Sequence, residues 1–275
     1  MLIAQITDLH VRPRGRPAYR VAETNMLVER AIDALIALQP RPDVVLVTGD
    51  LTDCGLPEEY ALLRSLLGRL PIPIFVVPGN HDRREALRAG LPAAWLPDAT
   101  QDFVQYVVDD WPMRLIGLDT LVPGSSHGEL CERRLAFLED ALAAGRDRPT
   151  LLFMHHPPFA CGMEDMDRIR LIDGEARFRA LVGAHANIER IVCGHHHRPI
   201  QARYAGTLAL VAPSVAHQVA LDLMPSRDSG LVLEPPAFQL HRYTPETGLV
   251  SHMAYVERYP GPFPFVLDPD YPGQA

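Results

Sequence analysis

The segment DVVLVTGD, Asp43 to Asp50, sets a short unbroken run of Val and Leu between two acids and ends it on Gly-Asp. A Val-rich run this short, with no polar alternation, reads as a strand covered on both faces. On its N-terminal side Val28, Ala31, Ile32 and Leu35 recur at helical spacing. On its C-terminal side Pro57, Glu58 and Glu59 form a first helical turn, with proline and acids where the free N–H groups favour them. The apolar face of that helix is Tyr60, Leu63, Leu67 and Leu70. Beyond the two helices lie two more strands, Leu2 to Thr7 and IPIFVVPG from Ile72. A βαβαβ opening implies parallel strands joined by helical crossovers.

Further along, FVQYVVDD and RLIGLDT flank Trp111 and Pro112 and read as a hairpin. A helix around Leu135 to Ala144 precedes the strand TLLFMHH, and one around Gly174 to Ala186 precedes IERIVCG. TLALVAPS, AFQLHRYT and GLVSHMAYV then follow without clear helices and read as antiparallel β structure. The tail YPGPFPFVLDPDYPG reads as an extended arm, because its prolines cannot continue a helix.

The chain has 275 residues, enough for one large domain with a sizeable core. No apolar run is long enough for a membrane-spanning helix, and no basic-then-apolar leader opens the chain, so a cytoplasmic protein without membrane contact is expected. Cys54, Cys131, Cys161 and Cys193 are scattered, which favours free thiols, although an even count leaves a disulfide open. The net charge of −8 argues against a long nucleic-acid footprint, which needs a basic stripe. The local cluster Arg12, Arg14, Arg16 and Arg20 reads as a solvated loop.

The polar residues concentrate at the strand ends. Asp8 and His10 close the first strand, Asp50 the second, and Asn80, His81 and Asp82 the third. His155 and His156 close TLLFMHH, and His195, His196 and His197 close IERIVCG. The C-terminal ends of parallel strands share one edge, where ligands bind. Singly, each residue has an ordinary explanation as a turn, cap or satisfied core group. Together they read as a metal site. If the histidine run is extended, His195 and His197 share a face and His196 points away. The same alternation selects one of His155 and His156 without saying which. Asp8, His10, Asp50, Asn80, one of that pair, His195 and His197 are too many donors for one tetrahedral ion and suit two ions sharing a carboxylate. Nitrogen and oxygen donors without thiolate suit Fe, Mn, Zn or Co.

The motifs D-x-H, GD, GNHD, HHPP and GHxH, in that order from Asp8 to His197, resemble the calcineurin-like metallophosphoesterases. Within them the chain resembles the class III cyclic nucleotide phosphodiesterases, and above all the bacterial glycerophosphodiesterases. SVAHQV and YPGPF are similar to that pattern more weakly. The resemblance implies an α/β fold, a four-layer αββα sandwich, with a small β-rich appended subdomain. The catalytic domain would span 1–197 plus about 255–275, and the subdomain about 198–254, as a cap and homo-oligomer interface. It also implies two divalent ions: Asp8, His10 and His197 on the first, Asn80, His156 and His195 on the second, and Asp50 bridging. His81 would be a catalytic group beside the metals, with Asp50 and Asn80 as its catalytic neighbours.

That set implies hydrolysis of small phosphodiesters of the glycerophosphodiester kind, by in-line attack of a metal-bridging hydroxide. Two divalent ions, two carboxylates and a hydroxide leave about one positive charge to match a phosphodiester monoanion. His81 would bind substrate and stabilise charge on the phosphoryl oxygens, or else protonate the leaving group. His217 is a candidate substrate contact or a core histidine. Phe159 and Cys161, after HHPP, overhang the substrate pocket or belong to an ordinary connecting loop. Asp82 reads as the cap of the helix RREALRAG. The alternatives to the lead reading are a 3′,5′-cyclic nucleotide (cAMP) phosphodiesterase and a non-catalytic binding module, against which every ligand position is intact.

Overall fold

The computed structural model describes residues 1–97, 102–224 and 229–265. The first half runs β1 (Leu2–Ile6), α1 (Thr24–Ala37), β2 (Val44–Thr48), α2 (Pro57–Leu67), β3 (Ile74–Val77) and α3 (Arg84–Gly90). The middle runs β4 (Tyr106–Val108), β5 (Arg114–Leu118), β6 (Gly128–Glu129), α4 (Glu132–Ala144), β7 (Thr150–Met154), α5 (Glu164–Arg168), β8 (Leu171–Asp173), α6 (Glu175–Gly183) and β9 (Ile188–Cys193). The last part holds β10 (Ile200–Tyr204), β11 (Thr207–Val211), β12 (Gln218–Val219), β13 (Leu231–Val232), β14 (Ala237–Thr244) and β15 (Gly248–Tyr255).

Two mixed sheets stack face to face, in the orders β15-β14-β1-β2-β3 and β10-β11-β9-β7-β5-β4. The β1, β2 and β3 pairings are parallel, as the helical crossovers require. The β4–β5 hairpin is antiparallel. Helix α1 buries Val28, Ala31, Ile32 and Leu35, and α2 buries Tyr60, Leu63, Leu66 and Leu67, in one core with β1 to β3. Helices α4 and α6 bury Leu135, Leu138, Leu142 and Phe178 in a second core. Strand β7 serves both: Leu151 and Phe153 join the first core, and Leu152 and Met154 the second. That is the period-2 alternation of a strand with a sheet on one side and helices on the other, so the layers are αββα. Each fully buried Leu or Phe contributes roughly 1.5–3 kcal/mol by leaving water.

The late strands depart from the expected division at residue 198. Strands β10 and β11 extend the second sheet through a parallel β11–β9 pairing, and β14 and β15 extend the first through β1. Pairing them there satisfies edge backbone groups of both sheets, which an isolated β unit would leave exposed. Among the described residues of about 198–254, only the β12–β13 pair stands outside the two large sheets. Of the expected returning tail, 266–275 lies outside the described residues. Val256 is buried, whereas Tyr259, Phe263 and Phe265 are exposed.

A buried polar ladder ties β1 to both neighbours. Gln5 Nε2 donates to Thr48 Oγ1 and to Cys193 O, both at 2.9 Å. Its Oε1 can only accept, so His241 Nε2, 3.1 Å away, carries the proton, and His241 Nδ1 accepts from Ser251 Oγ at 2.7 Å. Burial, with Arg190 nearby, pushes His241 down to about 3. A depressed imidazole contributes stability that is present above its unfolded value near 6.5 and is lost as pH falls below it. The slope is about 1.4 kcal/mol per pH unit until the folded value is reached. His241→Gln, which keeps a donor toward Gln5, is expected to remove that slope between pH 6.5 and 4.5. Equal pH slopes of unfolding free energy for both proteins would contradict this.

Candidate metal centre

The strand ends of the two sheets meet across the sandwich. β1, β2 and β3 deliver Asp8, His10, Asp50 and Asn80 from one sheet, and β7 and β9 deliver His155 and His195 to His197 from the other. Asp8, His10, Asp50, His195 and His197 all take left-handed backbone, with φ of 53, 45, 47, 72 and 51°. Such conformations cost of order 1–3 kcal/mol each and persist where surrounding contacts hold them. Here the loops lock together: Asp8 N donates to Gly49 O at 3.1 Å, His10 N to Asp50 O at 3.0 Å and His195 N to Asp8 Oδ2 at 3.0 Å. The histidine run is therefore not extended. His195 and His197 reach opposite groups of the centre because each turns at a left-handed residue.

One group of donors is Asp8, His10, Asp50 and His197. His197 Nε2 lies 3.3 Å from Asp8 Oδ1, and His10 Nε2 lies 3.6 Å from Asp50 Oδ2. A second group is His155, His156 and His195, all buried. His155 Nε2 lies 3.1 Å from Asn80 Oδ1 and 3.4 Å from Asp50 Oδ2. Asp50 thus touches both groups. Gly49 and Gly79 make this approach possible: a Cβ on Gly49 would fall 2.3 Å from His155 Nδ1, and one on Gly79 2.2 Å from Asp50 Oδ1.

The expectation for His156 needs correction. Its Nδ1 lies 2.7 Å from Thr120 Oγ1 and its Nε2 donates to Ser126 O at 3.1 Å, so both nitrogens are engaged away from Asn80. His155 occupies the place expected for it. The reason is the phase of β7: His155 continues the inner row of Leu151 and Phe153, and His156 the outer row of Leu152 and Met154. Phe159 is core, packed with Leu171 and Phe178, and does not line the central cavity. Cys161 packs on the same core, and its N–H donates to Asp167 Oδ1 at 2.7 Å. Neither contacts the site as expected. His217 does line the cavity, with its ring 4.7 Å from that of His197. The cavity, about 340 Å³, is also lined by His81, Tyr19, Ser126, Met166, Ile169, Val219, Ser229 and Leu231.

Asp82 does not cap α3. It accepts from Leu51 N, Gly79 N, Thr52 Oγ1 and Tyr60 Oη at 2.9–3.2 Å, stitching the GD loop to the GNHD loop. Burial and the Asp50 charge push it up to about 6. Asp53 went unnoticed in the sequence, though D-x-x-D was its signal. Its Oδ1 takes His10 Nδ1 at 3.1 Å, and its backbone oxygen takes His81 Nδ1 at 2.7 Å. Arg12 is not a solvated loop residue: its Nη1 reaches Asp53 at 3.4 Å and the buried Glu59 at 3.1 Å. Glu59 Oε2 in turn accepts from Cys54 N and Leu56 N, both at 3.0 Å, at the start of α2.

The donor chemistry fits divalent cations. His197 Nδ1 donates to His217 O and His155 Nδ1 to Thr48 O, each at 2.8 Å, and His10 Nδ1 donates to Asp53. With those protons placed, all three Nε2 atoms hold lone pairs in the neutral rings. Yet His10 Nε2 and His197 Nε2 face each other at 3.2 Å, and His155 Nε2 faces two oxygens that only accept. Lone pairs aimed at lone pairs call for positive charge between them. Outer hydrogen bonds that fix the far nitrogen are how proteins orient metal-binding imidazoles. Without metal, protons would have to serve: burial opposes it, but Asp50 pushes His155 up to about 9. Burial alone would raise Asp50, but His155, His81 and His10 hold it well below the ordinary carboxylate range. Cys54, Cys131, Cys161 and Cys193 are all free thiols. Among the described residues no helix is long and apolar enough to cross a membrane.

Paired sheets whose ends bring two donor groups around one shared aspartate frame a buried metal-binding site, and residues 1–199 match the calcineurin-like phosphoesterase family model. The chain belongs to that family. It is 38% identical over 266 residues to a probable glycerophosphodiester phosphodiesterase GpdQ of Arcobacter nitrofigilis, covering 96% of this chain and 97% of the relative. It is 35% identical to the glycerophosphodiester phosphodiesterase GpdQ of Enterobacter lignolyticus, covering 96% and 94%. A probable cyclic nucleotide phosphodiesterase of Rhodopseudomonas palustris is 37% identical over 86% of both chains. Among solved structures, a dimetal phosphatase from Danio rerio superposes with a TM-score of 0.65 at 14% identity, covering 94% of this chain and 99% of that one, a likeness of fold.

Proposed function

We propose that the chain hydrolyses small phosphodiesters of the glycerophosphodiester kind at a centre of two divalent ions. The observation that carries this reading is Asp50 standing between two sets of buried donors. Asp8, His10 and His197 would hold one ion, Asn80, His155 and His195 the other, and Asp50 both. Such ions supply a water activated at neutral pH and a positive field for the phosphoryl oxygens. Asp53 and Thr48 hold the His10 and His155 rings in the tautomers that leave Nε2 free for this role. His81 donates its Nδ1 proton to Asp53 O, which leaves Nε2 to face the cavity. Burial opposes a second proton on the ring, but Asp50 raises His81 above the ordinary imidazole range, and that imidazolium would donate its Nε2 proton to a phosphoryl oxygen as negative charge gathers on it, or to the departing alkoxide. Tyr19 and His217 line the cavity beside His10, their rings 6.3 and 5.1 Å from the His10 ring.

The names of the two glycerophosphodiester relatives support this substrate class. The match to a cyclic nucleotide phosphodiesterase over 86% of the chain supports the second reading, cAMP hydrolysis. Chelator-stripped protein, reloaded with Mn²⁺ or Zn²⁺, is expected to regain turnover of glycerophosphoethanolamine and to exceed its own rate on cyclic AMP. A cyclic AMP preference of about several hundredfold, some 3–4 kcal/mol in the barrier, would reverse the order. No recovered diesterase activity with either metal would favour a binding module.

A further inference from the structure

A second cavity, about 450 Å³, shares Asn80 and His81 with the first and is otherwise lined by different residues. Five charged side chains line it: Asp53, Asp82, Arg83, Arg84 and Glu85. Three are engaged. Asp53 pairs with His10 and Arg12. Asp82 holds the backbone and hydroxyl donors described above. Arg84 clamps Asp119 with two bonds of 2.7 Å and donates to Leu121 O at 2.6 Å. Arg83 and Glu85 are exposed, and among the described residues neither side chain has a salt-bridge partner.

The position of Arg83 is built. Its stem lies over Gly55, where an added Cβ would come within 2.6 Å of Arg83 Cγ and 3.2 Å of its Nε. Gly55 has a φ of +68°, a backbone that disfavours any side chain, so the space stays open. Arg83 N donates to Tyr60 Oη at 2.9 Å, which fixes the backbone beneath it. The Arg83 stem is thus held over Gly55 on the cavity rim, and among the described residues no acid lies within ion-pair distance of its guanidinium.

A phosphodiester carries two ester arms, and in-line displacement sends the departing oxygen away from the entering one. Around the first cavity the wall beyond the donor groups is Met166, Ile169, Val219 and Leu231 with the hydroxyls of Tyr19, Ser126 and Ser229. Among the described residues that wall offers a neutral arm apolar contact and hydrogen bonds and places no charged side chain beside it. We infer that the second cavity seats the other ester arm, and that Arg83 selects arms carrying a carboxylate, as an amino-acid head group does. This rests on the phosphodiesterase reading above.

Glycerophosphoserine and glycerophosphoethanolamine differ by that one carboxylate, so their kcat/KM ratio isolates the contact. With metal-loaded protein, Arg83→Ala is expected to lower kcat/KM for glycerophosphoserine about tenfold, mainly through KM. Glycerophosphoethanolamine should stay within about twofold, since its ammonium gains nothing from Arg83. Arg83→Lys should restore part of the loss, and Arg83→Glu should deepen it. An unchanged ratio in Arg83→Ala, or an equal fall for both substrates, would overturn the arm assignment and leave the phosphodiesterase reading intact. Failure of the unmodified, metal-loaded protein to hydrolyse either diester would overturn both.

Discussion

Asp50→Ala should leave the protein folded but unable to retain either ion of the pair, with diesterase activity reduced by roughly a thousandfold or more. Loss of an outer partner of a metal ligand costs about 10–100-fold. Asp50 is a direct donor in the proposed centre and belongs to both groups, 3.6 Å from His10 Nε2 and 3.4 Å from His155 Nε2. It also accepts the His81 N–H at 2.9 Å, so its removal frees the loop that carries Asn80 and His81. Asn80→Ala is the comparison. Asn80 Oδ1 lies beside His155, so its loss should weaken one site and spare the group of Asp8, His10 and His197. Metal content per chain after gel filtration separates the two variants. Equal depletion in both would end the claim that Asp50 bridges.

The second large effect distinguishes two adjacent histidines. His155→Ala should drop metal content from about two ions per chain toward one and lower kcat by about a thousandfold, as loss of a direct ligand exceeds loss of an outer one. His156→Ala should keep both ions and lose about 10–100-fold, the range for an outer contact. Its nitrogens serve Thr120 and Ser126 O, while its ring packs 4.8 Å from that of His155 and 4.6 Å from that of His195. In the proposed centre its removal would therefore loosen the His155 and His195 rings without removing a ligand. Loss of the second ion in His156→Ala, with retention in His155→Ala, would reverse the assignment.

Two positions show where the sequence stops being informative. In TLLFMHH every residue before the histidines is apolar or β-branched, so alternation sets two rows without marking which row faces the other sheet. Packing marks it, because Leu151 and Phe153 meet the first sheet while Leu152 and Met154 meet α4 and α6. The resemblance to glycerophosphodiesterases identified the HHPP motif, but its carry-over onto His156 missed the phase by one residue. Arg12 is the other case. Among Arg14, Arg16 and Arg20 it looks like one more solvated cation, and only the approach of Glu59, 47 residues away, makes it part of the support beneath His10. The place of Phe159 and Cys161 is open in the sequence for a related reason. Their neighbourhood after HHPP fits a pocket wall and an ordinary connecting loop equally, and the fold turns them onto the core of Leu171 and Phe178.

The sequence by itself determined the parallel βαβαβ start, the placing of Asp, Asn and His at five strand ends, and the family those motifs belong to. These are local properties: periodicity, turn chemistry and motif spacing survive without knowledge of neighbours. Tertiary structure alone decided that the five ends come from two facing sheets, that His155 and not His156 stands beside Asn80, and that the late strands extend those sheets. It also decided that five site residues turn through left-handed backbone. Each of these depends on which distant surfaces meet, and that follows from burying two apolar sheet faces against each other, a contact no stretch of chain encodes alone.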